Sequence, residues 1–92
     1  MKVKGVIDAA TIRILLHLSE MGDARYSELK EEVTRSRSTL ALALRELQEE
    51  RLIEREVVDT RPVQTRYSLT GLGAEVAGHL SEIKKLISNQ SK

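Results

Sequence analysis

Two helical patterns in this sequence of 92 residues are separated by only three residues, Val33-Thr34-Arg35. The first pattern covers about 28–32 and the second about 37–50. A connection of this length forms a tight corner between two packed helices, which is the spacing of a helix-turn-helix unit. The rest of the fold must therefore be arranged around a short helical pair with a sharp turn.

The second helix of this pair has one apolar stripe. Its small and branched aliphatic residues recur at spacings of three and four, at Leu40, Ala43, Leu44 and Leu47. Ser36 or Ser38 is the predicted N-cap of this helix, and Ser27 is the predicted N-cap of the helix before it. The stripe predicts which face of the second helix is buried and leaves the opposite face for another role.

Helical patterns also flank the pair on both sides. The first helix is predicted from its N-cap Asp8 to about Met21, with Gly22 as its stop. It is apolar on more than half of its girth, which is typical of a helix buried on two sides. The last helix is predicted over about 71–88, with Thr70 as its N-cap. It carries a heptad-like seam formed by Leu72, Val76, Leu80, Ile83 and Ile87.

Two strand patterns lie between the pair and the last helix. They cover about 52–58 and 63–69 and are joined by the turn Asp59-Thr60-Arg61-Pro62. We call residues 57–66 the wing. Ala24-Arg25-Tyr26 is a candidate for one extra, short edge strand. The predicted fold class is mainly α with a small β-hairpin, a winged helix-turn-helix in the order α-α-α-β-β-α.

Composition limits both the core and the chemistry. Hydrophobic residues make up 40% and charged residues 32% of the chain, as in a folded, soluble protein, and we expect a single domain over 1–92. The core must be aliphatic because the aromatic residues are Tyr26 and Tyr67 alone. The sequence shows no apolar run of membrane-spanning length and no signal peptide, so we expect a cytoplasmic protein.

Patterns for catalysis and for metal binding are missing from the sequence. Zero cysteines exclude a disulfide framework, a thiolate metal site and a cysteine nucleophile. His17 and His79 lie in different predicted helices and have no paired ligand nearby. There is no Ser/His/Asp grouping, no glycine-rich phosphate loop and no paired carboxylates. We therefore expect a protein that is not an enzyme and has no metal and no cofactor.

Positive charge is concentrated at the start of the second helix of the pair. Between Val33 and Arg45 there are three cations and no acid, whereas Glu46, Glu49 and Glu50 follow at the other end. The helix dipole adds to this positive potential. Duplex DNA requires an element that fits the major groove with cations beside it. The pattern predicts a helix of about 37–50 in the major groove and a wing near the minor groove.

The predicted contacts with DNA follow from side-chain chemistry. Arg37 suits a bidentate contact to guanine, the hydroxyl groups suit phosphate, and an Arg at the wing tip suits a narrow minor groove. Leu42 is open to three interpretations: packing against the wing, contact with thymine methyl groups, or binding of another protein. The predicted set comprises Arg35, Ser36, Arg37, Ser38, Thr39, Ala41, Leu42, Arg45, Arg61 and Arg66. If ten cations of a dimer met phosphate, log K would fall with log[salt] at a slope of roughly −9.

Several passages, in this order, resemble the winged helix-turn-helix of bacterial and archaeal transcription regulators. They are Leu29-Lys30-Glu31-Glu32-Val33, Ser36-Arg37-Ser38-Thr39-Leu40, Leu44-Arg45-Glu46-Leu47 and Arg51-Leu52-Ile53. The spacing Tyr67-x-Leu69-Thr70-x-x-Gly73 resembles the junction between wing and last helix in the MarR and HxlR groups. The Ser-Thr-Leu…Leu-Arg-Glu-Leu passage is shared with these and with the ArsR group. The resemblance covers about 8–87 and implies dimeric, sequence-specific binding of double-stranded DNA.

The chain departs from the pattern of these regulators at two arginines. Arg51 stands where they usually have glycine, and Arg35 stands where the turn usually has an apolar residue. The Cys or His clusters used for ArsR-type metal sensing and the Cys used for HxlR-type thiol sensing are missing, so the resemblance does not extend to a sensing site.

Dimerisation is predicted from the two flanking helices, about 8–21 and 70–88, which leave about 23–69 as the DNA-binding core. The predicted interface comprises Ile12, Leu16, Val76, Leu80, Ile83 and Ile87. The alternative function is a winged-helix module that binds another protein in a transcription or other assembly. It is favoured by the net charge of +1 and by the apolar pair Ala41-Leu42 on the presumed reading face.

Overall fold

The computed structural model describes residues 8–90, which form four helices and three strands. In chain order these are α1 (Ala9–Met21), β1 (Asp23–Arg25), α2 (Tyr26–Glu32), α3 (Arg37–Glu49), β2 (Ile53–Val58), β3 (Gln64–Leu69) and α4 (Gly71–Gln90). The predicted element order and the extra edge strand are confirmed. Residues 1–7 and 91–92 of the predicted domain lie outside the described residues.

The three strands form one antiparallel sheet in the order β1-β3-β2. Tyr67 in the central strand lies opposite Ala24 of β1 and opposite Arg55 of β2. Its side chain is buried, and Ala24 beside it is buried too. The short β1 strand therefore ties the chain between α1 and α2 to the base of the wing.

α1 begins and ends where its sequence predicts. The Asp8 carboxylate accepts from the Thr11 backbone N–H at 2.9 Å, and the Asp8 N–H donates to the Thr11 hydroxyl at 3.0 Å. At the other end Gly22 has φ +87° and its N–H donates to the Leu18 carbonyl oxygen at 2.8 Å. A left-handed glycine of this kind is a common helix stop.

The predicted Ser27 cap of α2 is wrong. α2 begins at Tyr26, directly after β1, and the extended residue Arg25 is its N-cap. The Arg25 N–H donates to the Glu28 carboxylate at 3.4 Å. Pairing of β1 with β3 holds Arg25 extended, so the helix begins one residue after it and Ser27 lies inside the first turn.

α3 has the predicted cap and ends one residue earlier than predicted. The Ser36 hydroxyl accepts from the Thr39 N–H at 3.3 Å. Past the end of α3 the chain turns at Arg51, which has φ +60°. Glycine adopts this left-handed conformation without steric cost. The conformation gives a physical reason for the glycine that the resemblance implies at this position.

The core is aliphatic, as predicted, and α3 supplies its centre. All four residues of the α3 stripe are 3% exposed or less. They pack with buried residues from every other element: Ile14, Leu15, Leu18, Ala24, Leu29, Val33, Leu52, Ile53, Tyr67 and Ala77. None of the helices within residues 8–90 is both long and apolar enough to cross a membrane.

The start of α4 packs closely against the segment between α3 and β2. The Thr70 hydroxyl accepts from the Gly73 N–H at 3.0 Å, and the Thr70 N–H donates to the Leu52 carbonyl oxygen at 3.1 Å. A Cβ atom at Gly73 would overlap this same carbonyl oxygen, whereas a Cβ atom at Gly78 would meet nothing within 4 Å. Gly73 therefore permits a backbone approach that an alanine would prevent.

Replacing Gly73 by alanine is expected to lower the free energy of unfolding by about 1–3 kcal/mol, because the backbone at Leu52 must shift. Gly78→Ala in the same helix is the matched control. It should raise the free energy of unfolding by about 1 kcal/mol, the difference in helix propensity. Urea denaturation of both variants measures the contrast, and equal stabilities would contradict the close approach at Gly73.

Candidate nucleic-acid interface

The outer face of α3 is determined by its buried face. Because the stripe centred on Leu40 and Leu47 points into the core, the residues on the opposite side face solvent. Ser38, Ala41 and Arg45 are exposed there, and Leu42 between them is 50% exposed. Arg35, Ser36, Arg37 and Thr39 at the start of the helix are exposed as well. The structure thus brings eight predicted contacts together on one helix and the turn before it.

Hydroxyl groups surround the N-terminus of α3. The Ser36 and Ser38 hydroxyls lie 3.3 Å apart, and the Ser36 N–H donates to the Thr34 hydroxyl at 3.2 Å. The Ser36 hydroxyl thus accepts in capping and can still donate, and the Ser38 and Thr39 hydroxyls are exposed beside it. Hydroxyl groups at a helix N-terminus suit an anionic ligand.

The arginines at this end of the protein are not neutralised. Within residues 8–90, two ion pairs are found, Arg25 with Glu28 and Arg66 with Asp23. Arg35, Arg37, Arg45 and Arg61 are exposed and belong to neither pair. The side chains around the start of α3 therefore present uncompensated positive charge to solvent.

Arg66 differs from the other predicted contacts. Its guanidinium Nη1 lies 3.1 Å from Asp23 Oδ2, in an ion pair that links β3 to β1. In the sheet, Arg66 is flanked by Arg25 on one side and by Glu56 on the other. The Arg66 guanidinium is held at the sheet, and the neighbouring carboxylates partly neutralise its charge. Its contact with DNA therefore remains a prediction.

The tip of the wing holds Arg61 in an exposed turn. The Thr60 hydroxyl donates to the Pro62 carbonyl oxygen at 2.7 Å, and the Thr60 N–H donates to the Val58 carbonyl oxygen at 2.9 Å. The first of these bonds spans Arg61, and the second closes the turn just before it. The Arg61 guanidinium is thereby exposed at the far end of the β2–β3 hairpin.

An open groove of about 450 Å³ separates the wing from the start of α2. It is lined by Arg25, Tyr26, Ser27, Pro62, Val63, Gln64 and Thr65. The sequence does not reveal these residues as a group, because they come from two segments far apart in the chain. The pairing of β1 with β3 brings them together, and the edge-strand pattern at 24–26 was the only signal for it.

A second, apolar groove of about 270 Å³ contains Leu42. It is lined by Asp8, Ala9, Ala10, Thr39, Leu42 and Ala43, so it lies between the first turn of α1 and the outer face of α3. The wing does not contribute to it. The structure thus places Leu42 beside α1, at the edge of the exposed face of α3.

The seam of α4 is half-buried in its middle and exposed at both ends, since Leu72 at its start is 54% exposed. Val76 and Leu80 are half-buried and pack against the core, whereas Ile83 is 53% and Ile87 63% exposed. Leu86 is 64% exposed beside them. It is not among the predicted interface residues, although its spacing of three from Ile83 places it on the same face. We call Ile83, Leu86 and Ile87 the α4 patch. On α1, Ile12 and Leu16 are half-buried.

No group of three or more His, Cys, Asp or Glu side chains that could hold a metal ion exists within residues 8–90. His17 is half-buried in α1 and His79 is exposed on α4.

The model of the HxlR-like helix-turn-helix family matches residues 7–92 of this chain. Among curated proteins, no sequence matches the chain significantly.

Solved structures of regulators are similar to this chain over most of its length. The chain is 28% identical to ytfH of Salmonella typhimurium, assigned as a transcriptional regulator, with a TM-score of 0.82 over 94% of this chain and 77% of that one. It is 28% identical to the HTH-type regulator ytcD, with a TM-score of 0.83 over 97% and 91% of the two chains. It is 30% identical to a MarR-family regulator of Porphyromonas gingivalis W83, with a TM-score of 0.68 over 78% and 72%.

Proposed function

Since this chain belongs to the HxlR-like helix-turn-helix family of DNA-binding transcription regulators, we propose that it binds specific sites on double-stranded DNA as a homodimer. In this proposal α3 enters the major groove and the wing lies near the minor groove. Such a protein controls transcription by occupying DNA and performs no chemical step of its own.

The observation that carries the proposal is the unpaired positive charge at the start of α3. Arg35, Arg37 and Arg45 are exposed, and no acid interrupts residues 33–45. This is the end of a recognition helix that meets base edges in helix-turn-helix proteins. The acids of α3 are confined to its last turn, where repulsion by phosphate is weakest.

In this proposal, each predicted side chain contacts the part of DNA that its chemistry suits. Arg37 suits the paired acceptors of guanine, and Ser36, Ser38 and Thr39 suit phosphate oxygens. Arg35 and Arg45 supply charge on either side, and Arg61 suits the negative potential of a narrow minor groove. We expect a smaller contribution from Arg66, because the Asp23 carboxylate already compensates its charge.

The homodimer is supported by the apolar surface that a single chain leaves open. Three large aliphatic side chains of the α4 patch are more than half exposed, one turn beyond the point where α4 leaves the core. Burying them against a second copy would remove this surface from water, together with the half-buried Ile12 and Leu16 of α1. Val76 and Leu80 already pack against the core of their own chain and would form the part of the interface nearest to that core.

A protein-binding module is the second candidate, and one observation favours it. The groove beside Leu42 is apolar, and apolar clefts are typical docking sites for protein side chains. The arginines on the same face distinguish the two functions, since a protein partner would have to desolvate them while DNA would neutralise them.

Selection of bound duplexes from a random pool tests the proposal. We expect enrichment of a twofold-symmetric site, with half-sites centred about 10–10.5 base pairs apart or a multiple of this, because a twofold dimer places its recognition helices one helical turn apart. Enrichment of an asymmetric site would contradict the dimer, and the absence of any enrichment would contradict DNA recognition.

A further inference from the structure

We propose that Leu42, with Ala41 beside it, recognises the C5-methyl group of thymine at one fixed position in each half-site. This inference rests on the proposed function. It adds the identity of the base that a side chain midway along α3 recognises.

The position of Leu42 makes it part of the reading surface. It lies one turn after Ser38 and one turn before Arg45, so the three side chains form a row along the outer face of α3. Leu42 is 50% exposed, and Ala41 is exposed next to it. If this row lay in the major groove, the isobutyl group of Leu42 would contact a base edge. The Ser38 hydroxyl and the Arg45 guanidinium would lie on either side of it.

The positive charge around Leu42 determines which class of partner can contact its apolar side chain. The exposed arginines on α3 and in the turn before it, Arg35, Arg37 and Arg45, all lie within seven residues of Leu42. An apolar protein surface would leave these guanidinium groups desolvated and unpaired. A nucleic acid neutralises them with phosphate and still offers apolar contact inside its groove.

Base chemistry then selects thymine. In the major groove guanine, adenine and cytosine present hydrogen-bonding edges, whereas thymine adds a methyl group beside its one acceptor. A leucine placed against a polar edge removes water from donors or acceptors without replacing their hydrogen bonds, which is unfavourable. Contact with the methyl group buries apolar surface on both sides.

The test replaces thymine by deoxyuridine in a duplex selected from the random pool, one position at a time. The two bases differ only by the methyl group, so hydrogen bonding is unchanged. The wild-type protein should lose affinity about fourfold at one position per half-site and roughly fifteenfold when both half-sites are changed. Other thymines should show no loss of this size.

Two variants identify the side chain responsible. Leu42→Ala should lower the ratio of thymine to deoxyuridine affinity at that position, because most of the apolar contact with the methyl group is lost. Leu42→Gln should shift the preferred base from thymine towards adenine, because glutamine matches the paired groups of adenine. Met21→Gln, at a side chain 60% exposed at the end of α1, is the matched control and should keep the thymine preference.

Equal affinity of the wild type for thymine and deoxyuridine at every position would overturn this inference while leaving DNA binding intact. An unchanged preference in Leu42→Gln would also overturn it and would leave the apolar groove to a protein partner. Failure to select any duplex would overturn the proposed function and this inference together.

Discussion

Replacing Arg37 by alanine is expected to weaken binding to the selected duplex by roughly 30-fold or more. A bidentate contact to guanine contributes about 1–3 kcal/mol, and a dimer would lose two of them. Arg37 is exposed at the first position of α3 and has no acidic partner within residues 8–90, so the loss should fall on DNA affinity rather than on stability. Fluorescence anisotropy with labelled duplex measures the affinity.

Arg55→Ala is the matched control for Arg37→Ala. Arg55 is equally an exposed arginine, but it lies on β2 outside the predicted contacts. We expect its loss to change affinity by no more than about threefold, the size of a remote charge effect. The Arg37 variant should also tolerate other bases at the guanine position, whereas the Arg55 variant should not. Equal behaviour of the two variants would remove Arg37 from the reading surface.

Replacing Ile83 by glutamate is expected to convert the dimer into a monomer and to lower DNA affinity by about two orders of magnitude or more. A carboxylate in an apolar interface must be desolvated without a partner, and a monomer loses the gain from engaging two half-sites at once. Light scattering at micromolar concentration reports the mass, and anisotropy reports the binding. Ile83 is a better site than Leu80, because Leu80 also packs against the core of its own chain.

Ser88→Glu provides the control for the Ile83 variant. Ser88 is exposed on the same helix, roughly 140° around the axis from Ile83, so it adds the same charge outside the α4 patch. This variant should remain a dimer with the affinity of the wild type. If the wild-type protein itself were monomeric in solution and on DNA, the interface proposed for α4 would be wrong.

The parts of the fold that depend on local periodicity were predictable from the sequence. The α3 stripe from Leu40 to Leu47 repeats every three to four residues, and the caps Asp8, Ser36 and Thr70 bond to groups within three residues of themselves. Each of these signals is complete within one or two turns of a single helix, so no knowledge of distant residues was needed.

The features that depend on distant residues were not predictable in the same way. The start of α2 depends on the pairing of Arg25 with Arg66, forty-one positions later in the chain. The same pairing sets Arg66 beside Asp23 and forms the groove under the wing. On α4, Val76 and Leu80 pack against the core, whereas the side chains of the α4 patch are exposed. The regular spacing of the seam in the sequence could not distinguish these two groups.

Arg51 has a left-handed backbone conformation at a position where the resemblance implies a glycine. The sequence alone shows an arginine where similar regulators have glycine, without a reason for the glycine. The φ of +60° supplies the reason, and the surrounding hydrogen bonds hold the arginine in place. The Arg51 N–H donates to the Gln48 carbonyl oxygen at 3.0 Å, and the Thr70 hydroxyl donates to the Arg51 carbonyl oxygen at 2.6 Å.

The most direct test of the central claim is a salt titration of wild-type protein on its selected duplex. If the unpaired arginines of α3, the turn before it and the wing meet phosphate in both subunits, log K should fall with log[salt] at a slope between roughly −5 and −7, for six to eight contacts. A slope near zero on a duplex that still binds would mean that these arginines do not face DNA, and it would contradict the account.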